Sequence, residues 1–208
     1  MKPHLIMPMG GAGSRFYKNG YMQPKPLIEI KTRPFLYWAT MSIKKYIDIE
    51  DVTFVVLQQH IDRFNIDSVI KEYFPDAGIE VLPDILPGPV FTALKGVAKI
   101  KDNAPIIFND CDHMFKCSEI NNILNQNAFT SDGALLTFES NEPQFSYVKY
   151  GEEGKIIGTI EKKVVSHHAI CGAYIFKNVK LFKDMAEVYT QNCPYKRMLH
   201  EWPLQCYV

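Results

Sequence analysis

Over its first 110 residues the chain alternates short apolar runs with longer stretches of helical periodicity, an order that few folds accept. The runs are HLIMP at 4–8, PLIEI at 26–30, DVTFVVLQQ at 51–59, GIEVLP at 78–83 and PIIFND at 105–110. Each is short enough for a strand and is flanked by breakers such as Gly, Pro and Asp. The run at 51–59 is continuous and β-branched, the pattern of a strand buried on both faces. Residues 34–46, 60–74 and 90–100 read as helices between them. Strand and helix in this alternation predict an α/β fold, a doubly wound, mostly parallel sheet sandwiched by helices.

After residue 115 the pattern changes. GALLTFE at 133–139 and AICGAYIFK at 169–177 read as strands, and residues 146–163 as a hairpin turning at Glu152 to Gly154. VKLFKDMAEVY at 179–189 reads as a helix. The second half is therefore β-rich. No repeat, low-complexity tract or linker divides the chain, so 208 residues make one domain.

Composition narrows the function. Lys plus Arg and Asp plus Glu are equal at 23 each, so no global field favours nucleic acid or an anionic membrane. No basic stripe interleaved with aromatic residues appears, which argues against an RNA or DNA partner. No run approaches the roughly 18 apolar residues of a membrane span, and the N-terminus lacks a signal-type apolar stretch. Five cysteines, without a CxxC pair, read as reduced thiols. The expected location is the cytoplasm.

The first strand feeds directly into MGGAGSRF, residues 9–16. Glycine lets backbone N–H groups converge on an anion with no Cβ in the way. Arg15 adds a guanidinium able to grip phosphate through two oxygens. Lys25, between Pro24 and Pro26, offers a compact second cation. Neither standard phosphate motif fits. No Lys-Ser or Lys-Thr follows Gly13, as a P-loop requires, and Phe16 stands where a GxGxxG fingerprint needs its third glycine.

GGAGSRF followed by PKPL resembles the signature of nucleotidyltransferases that act on sugar phosphates and related phosphorylated small molecules. Four later stretches match in order: LPGPVFTALKG at 86–96, IIFNDCDHMF at 106–115, IEKK at 160–163 and CGAYIF at 171–176. The resemblance implies a Rossmann-like core of the glycosyltransferase-A kind, with residues 1–115 as the nucleotide-binding half and 116–208 as the acceptor-binding half. It implies a Mg²⁺-dependent reaction of a nucleoside triphosphate with a phosphorylated acceptor, releasing pyrophosphate. By position, Met9, Gly10, Gly11, Ala12, Gly13, Ser14 and Arg15 would cradle the triphosphate, and Lys25 would stabilise the reacting α-phosphate. Gly88, Thr92 and Ala93 would border base and ribose, Asp110 would lie on the nucleotide side, and Asp112 would hold the metal. Glu161, Lys162 and Gly172 would meet the acceptor, Lys162 by pairing with its phosphate.

Several alternatives stay open at this level. Asp110 competes with Asp112 as metal ligand, and Lys163 with Lys162 as phosphate partner, because EKK stands where the family has EKP. His113 reads as a hydrogen-bonding neighbour of the carboxylates or as a metal ligand, and His167 and His168 as a polar loop or an acceptor contact. Tyr37, Trp38 and Tyr46, on one helix, read as core or interface rather than a stacking platform. The family's second metal carboxylate follows a late strand, which WPLQCYV at 202–208 resembles, so a shortened form of a longer enzyme is expected. The GPVxTAL form resembles the cytidylyltransferases of bacterial capsule and surface-polysaccharide pathways, such as the one that activates phosphoglutamine. That similarity implies CTP and a small acceptor, and the family implies a homodimer. A catalytically silent nucleotide-binding protein and a glycosyltransferase consuming an NDP-sugar are the competing classes.

Overall fold

The structure, a computed structural model, describes residues 1–120 and 131–192. The strand proposed for 202–208 lies outside the described residues. Four strands carry the parallel half: β1 (His4–Met9), β4 (Val52–Leu57), β5 (Gly78–Leu82) and β6 (Ile106–Asn109). They lie side by side in the order β5-β4-β1-β6, all parallel. The chain therefore winds outward from β1 to β4 and β5, then returns to place β6 on the other side of β1. That reversal leaves a crevice beyond the C-terminal ends of β1 and β6, where ligands settle in open α/β sheets.

The sheet is covered on both faces because its central strands are apolar throughout. Leu5, Met7, Phe54 and Val56 face one cluster, packed by α2 (Phe35–Lys44), α3 (Gln58–Phe64) and α4 (Ile66–Tyr73). Ile6, Val55, Leu57 and Phe108 face the other, under α5 (Pro89–Gly96) and α6 (Val179–Asn192). Alternation along β1 sends successive side chains into opposite layers. Gly96 lets α5 lie flat on the sheet, since a Cβ there would come within 2.5 Å of the Ile6 Cγ2. Tyr37 belongs to the packing rather than to a stacking platform: its ring lies against Tyr73 and Phe74, capped by the Arg33 guanidinium at 4.3 Å.

The second half continues the same sheet antiparallel. It contains β7 (Gly133–Glu139), β8 (Ser146–Tyr150), β9 (Ile156–Glu161) and β10 (His168–Phe176). β10 pairs with β6 on one side and with β7 on the other, and β8 and β9 form the expected hairpin. The first half thus supplies the parallel strands, and β10 couples the antiparallel second half to β6. Among the described residues no helix is long and apolar enough to cross a membrane.

Three local expectations are corrected. Residues 26–30 are not one strand. Prolines on either side of Lys25 wind Lys25–Leu27 into a 3-10 turn. Only β2 (Glu29–Ile30) then remains, pairing with β3 (Arg33–Pro34). The helix expected over 60–74 is two helices, because Asn65 takes the left-handed conformation, φ 50°, ending α3 and opening α4. The strand at 51–59 stops at Leu57, where α3 begins.

Candidate active site

The glycine loop leaves β1 at the crevice and enters a five-residue helix, α1 (Ser14–Lys18). Gly13 has φ 61°, a left-handed conformation that glycine adopts without strain, and its carbonyl accepts from the N–H of Phe16 and of Tyr17. The same turn brings the loop against the PKP segment, since a Cβ on Gly13 would lie 3.5 Å from the Lys25 backbone nitrogen. Gly10 is tight for another reason. A Cβ there would meet Leu82 Cδ1 at 2.8 Å and Thr92 Oγ1 at 3.0 Å, so the loop lies directly on α5. GPVxTAL and GGAGSRF, far apart in sequence, are neighbours in space.

A cavity of about 940 Å³ opens over this loop. Met9, Gly11, Gly13, Ser14, Lys25 and Asp112 line it, all of them singled out in the sequence. Phe16, the last residue of GGAGSRF, lines it as well, and so do Asn19 and Tyr21, which no motif marked. The Phe16 and Tyr21 rings meet edge to face at 5.8 Å, forming one apolar wall. The side chain of Arg15 lies outside the described residues. Thr92 and Ala93 are buried, Ala93 entirely within the core, so α5 contributes to the site by its close approach to Gly10.

Lys25 and Asp112 form the centre. Lys25 Nζ stands 2.6 Å from Asp112 Oδ2, with both side chains mostly shielded. Burial alone would lower the lysine pKa. The neighbouring Cys111, Asp112 and Asp110 outweigh it, and the group is raised above its ordinary value. The second Asp112 oxygen, Oδ1, is buried with no hydrogen-bond partner. An anionic oxygen left uncommitted beside a roomy polar cavity suits a hard cation that takes one or two carboxylates and completes its shell with phosphate and water. Such a donor set would suit Mg²⁺, and Asp112 is the side chain that could hold it. Among the described residues no group of three or more His, Cys, Asp and Glu side chains forms a complete cage. Cys111, between the two aspartates, is no nucleophile: burial pushes its thiol up to about 12, against the opposing pull of Lys25.

Asp110 belongs to a second constellation on the β10 side. Its N–H donates to the Gly172 carbonyl at 2.9 Å, and its Oδ2 lies 3.5 Å from His113 Nδ1. Its enclosed position pushes the carboxyl up, His113 opposes this and Asp112 adds to it, leaving it above the usual carboxylate range. Burial, with Asp110, Cys171 and Glu161, holds the Tyr174 phenol far above its ordinary value. Glu161 pairs with Lys162 at 2.6 Å, and Lys162 takes φ 52°. Lys163 is exposed. His167 and His168 are held locally, by Asn141 at 2.8 Å and the Tyr150 hydroxyl at 2.9 Å. Beneath the site Asn109, fully buried, donates to the Ala39 carbonyl at 3.1 Å and ties the end of β6 to α2.

A glycine loop and a lysine–carboxylate pair thus meet at the switch-point crevice of an α/β sheet. The nucleotidyl transferase family model matches residues 4–199, and the chain belongs to that family. Comparison with curated proteins gives no match. Among solved structures the chain is similar to a nucleoside-diphosphate-sugar pyrophosphorylase from Vibrio cholerae RC9, with TM-score 0.77, 23% identity, and coverage of 96% of this chain and 85% of that one. It is similar to an inositol-1-phosphate CTP transferase from T. maritima, with TM-score 0.74, 14% identity and coverage of 99% and 80%. A UDP-glucose pyrophosphorylase crystallised with UDP-glucose gives TM-score 0.73, 16% identity and coverage of 99% and 86%. At these identities the likeness establishes the nucleotidyltransferase-like fold.

Proposed function

We propose that the chain joins a nucleoside triphosphate, CTP in this reading, to the phosphate of a small acceptor. An acceptor phosphate oxygen attacks the α-phosphorus, the bond to the β-phosphate oxygen breaks, and pyrophosphate leaves. The observation that carries this is the Lys25–Asp112 pair at 2.6 Å, set against the glycine loop of a 940 Å³ cavity. Reactions of this kind need charge neutralisation and alignment more than covalent help from the protein.

In this reading the Met9 to Ser14 backbone and Arg15 hold the triphosphate, and Gly88 borders the nucleoside; Thr92 backs the loop through Gly10, and Ala93, wholly in the core, has no surface to offer the nucleoside. Lys25 turns from Asp112 to the α-phosphate and stabilises the charge that builds as the acceptor attacks. Asp112 holds Mg²⁺, which when bound neutralises triphosphate oxygens and fixes their geometry. Asp110 shapes the floor between nucleotide and acceptor. Glu161, Lys162 and Gly172 orient the acceptor, with Lys162 released from Glu161 to meet its phosphate.

The choice of CTP rests on the GPVFTAL stretch and has a parallel in the T. maritima CTP transferase. A sugar 1-phosphate acceptor has a parallel in the sugar-nucleotide pyrophosphorylases. Phosphoglutamine, a role in capsule or surface-polysaccharide synthesis, and a homodimer rest on the sequence resemblance. The test is pyrophosphate release with each common NTP against glucose 1-phosphate, inositol 1-phosphate, phosphocholine and phosphoglutamine, with Mg²⁺ present. Release with CTP and one acceptor is expected. Thermal stabilisation by CTP without turnover would make the chain a silent binder, and consumption of an NDP-sugar without NTP would make it a glycosyltransferase.

A further inference from the structure

His113 is placed where no sequence motif required a histidine. Its ring lies directly on the backbone of Gly172, so that a Cβ at that position would overlap His113 Nδ1 outright and come within 2.8 Å of Asp110 Oδ2. Gly172 takes φ 72°, inside the stretch of β10 where the pairing register with β7 breaks between Ile170 and Tyr174. The bulge and the missing side chain together make a seat for the imidazole. Two backbone bonds fix the seat: the Asp110 N–H to the Gly172 carbonyl at 2.9 Å, and the His113 N–H to the Asp110 carbonyl at 3.3 Å.

The ring is nevertheless not a packed core residue. Its side chain remains 39% exposed although Nδ1 is buried and lacks a hydrogen-bond partner. Nδ1 and Cε1 face Gly172, which leaves the Nε2 edge as the accessible one. That edge belongs to the residue next to Asp112 and rests on the strand that follows Glu161 and Lys162 in the chain. We infer that His113 is an acceptor-binding residue, presenting Nε2 to the phosphate monoester on the β10 side of Asp112. Gly172 is the positioning residue that makes room for it. The inference rests on the nucleotidyl-transfer reading and assigns His113 a ligand contact in place of a metal contact.

The test uses the full chain with CTP, Mg²⁺ and glucose 1-phosphate, and inorganic phosphate as a second probe followed through the imidazole ¹⁵N resonances of His113. For His113→Ala the KM for the acceptor should rise about tenfold, the worth of one hydrogen bond, with the KM for CTP unchanged. His113→Gln should recover part of the loss, which a purely structural role would not predict. Gly172→Ala should raise the acceptor KM as His113→Ala does, and the two effects should be less than additive in the double variant, because the clash with the ring is gone once the ring is removed. Phosphate should shift the His113 resonances with CTP and Mg²⁺ bound. Equal changes in both KM values, additive effects of the two substitutions, or silent His113 resonances while CTP still binds would overturn the inference and leave nucleotidyl transfer standing. Absence of CTP binding in the wild-type chain would overturn both.

Discussion

Replacing Lys25 with alanine separates a binding-site lysine from a structural one. In the structure Lys25 Nζ and Asp112 Oδ2 are 2.6 Å apart, with side-chain exposures of 30% and 19%. At an effective dielectric near 20 their attraction is about 6 kcal/mol, by Coulomb's law at that separation. Desolvation of two shielded charges offsets most of it. Removing the lysine leaves Asp112 without a counter-ion, a cost of about 1–3 kcal/mol for a part-buried charge. Catalysis should suffer more. A preorganised cation aimed at charge developing on the α-phosphate is worth about 2.7–4 kcal/mol, or two to three orders of magnitude in turnover. The assay pairs pyrophosphate release with urea denaturation. Lys25→Ala is expected to lose at least a hundredfold in kcat/KM while unfolding cooperatively at a moderately lower urea midpoint. Lys25→Arg should recover stability but little activity, since a planar guanidinium does not replace a compact ammonium. Turnover within threefold of wild type would refute the placement of Lys25 at the reacting phosphate.

The turn between β2 and β3 offers a test of backbone strain. Lys31 and Thr32 have φ 49° and 66°, a two-residue left-handed turn of the type that favours Asn-Gly, and Thr32 is β-branched. Thr32→Gly should stabilise the protein by about 1 kcal/mol, the left-handed penalty less the entropy that glycine loses on folding. In a thermal melt that is a rise of about 2–4 °C, and an unchanged or lower midpoint would show that the turn is not strained. His60 makes stability depend on pH. It is buried, its Nδ1 has no hydrogen-bond partner, and burial, helped by Arg63, holds its pKa below 6.5. The unfolded chain therefore takes up this proton first as pH falls. The contribution of neutral His60 is complete above about pH 6.5 and is lost progressively below it, down to the lowered folded value. Urea midpoints at pH 7 and pH 5.5 should diverge in wild type and less so in His60→Gln; equal divergence in the two would remove His60 as the cause.

Much of the fold was legible because its signals are short-range. Apolar runs of strand length, separated by helical periodicity, specify a parallel sheet almost regardless of loop detail, and β1, β4, β5 and β6 fall where their runs lie. The errors arose where one residue overrides a period. Asn65 in the left-handed region splits a helix whose apolar spacing continues through it, and the prolines beside Lys25 turn a strand-like run into a 3-10 turn. The glycine loop, Lys25 and Asp112 were visible as motifs, and the structure brings them to one cavity. The Phe16–Tyr21 wall was not visible, although Phe16 closes the GGAGSRF motif, because an edge-to-face pair within a loop has no period to announce it.

The part of the site that sequence could not reach is the coupling between the two halves. Asp110, His113 and Gly172 meet only because β10 runs antiparallel to β6 in one register, with Ala173 opposite Asn109. A shift of one residue would point every β10 side chain to the other face. It would also replace Gly172, beneath the His113 ring, with Cys171 or Ala173, each carrying the Cβ for which there is no space. The register is held by the apolar pairs Tyr174–Phe108 and Ile175–Ile107, buried on opposite sides of the sheet. Core packing well away from the cavity therefore sets where Gly172 and His113 stand relative to Asp112. On this reasoning, substitutions in the β6–β10 core should disturb acceptor binding before nucleotide binding, since the glycine loop follows β1 and rests on α5, and Lys25 lies against that loop.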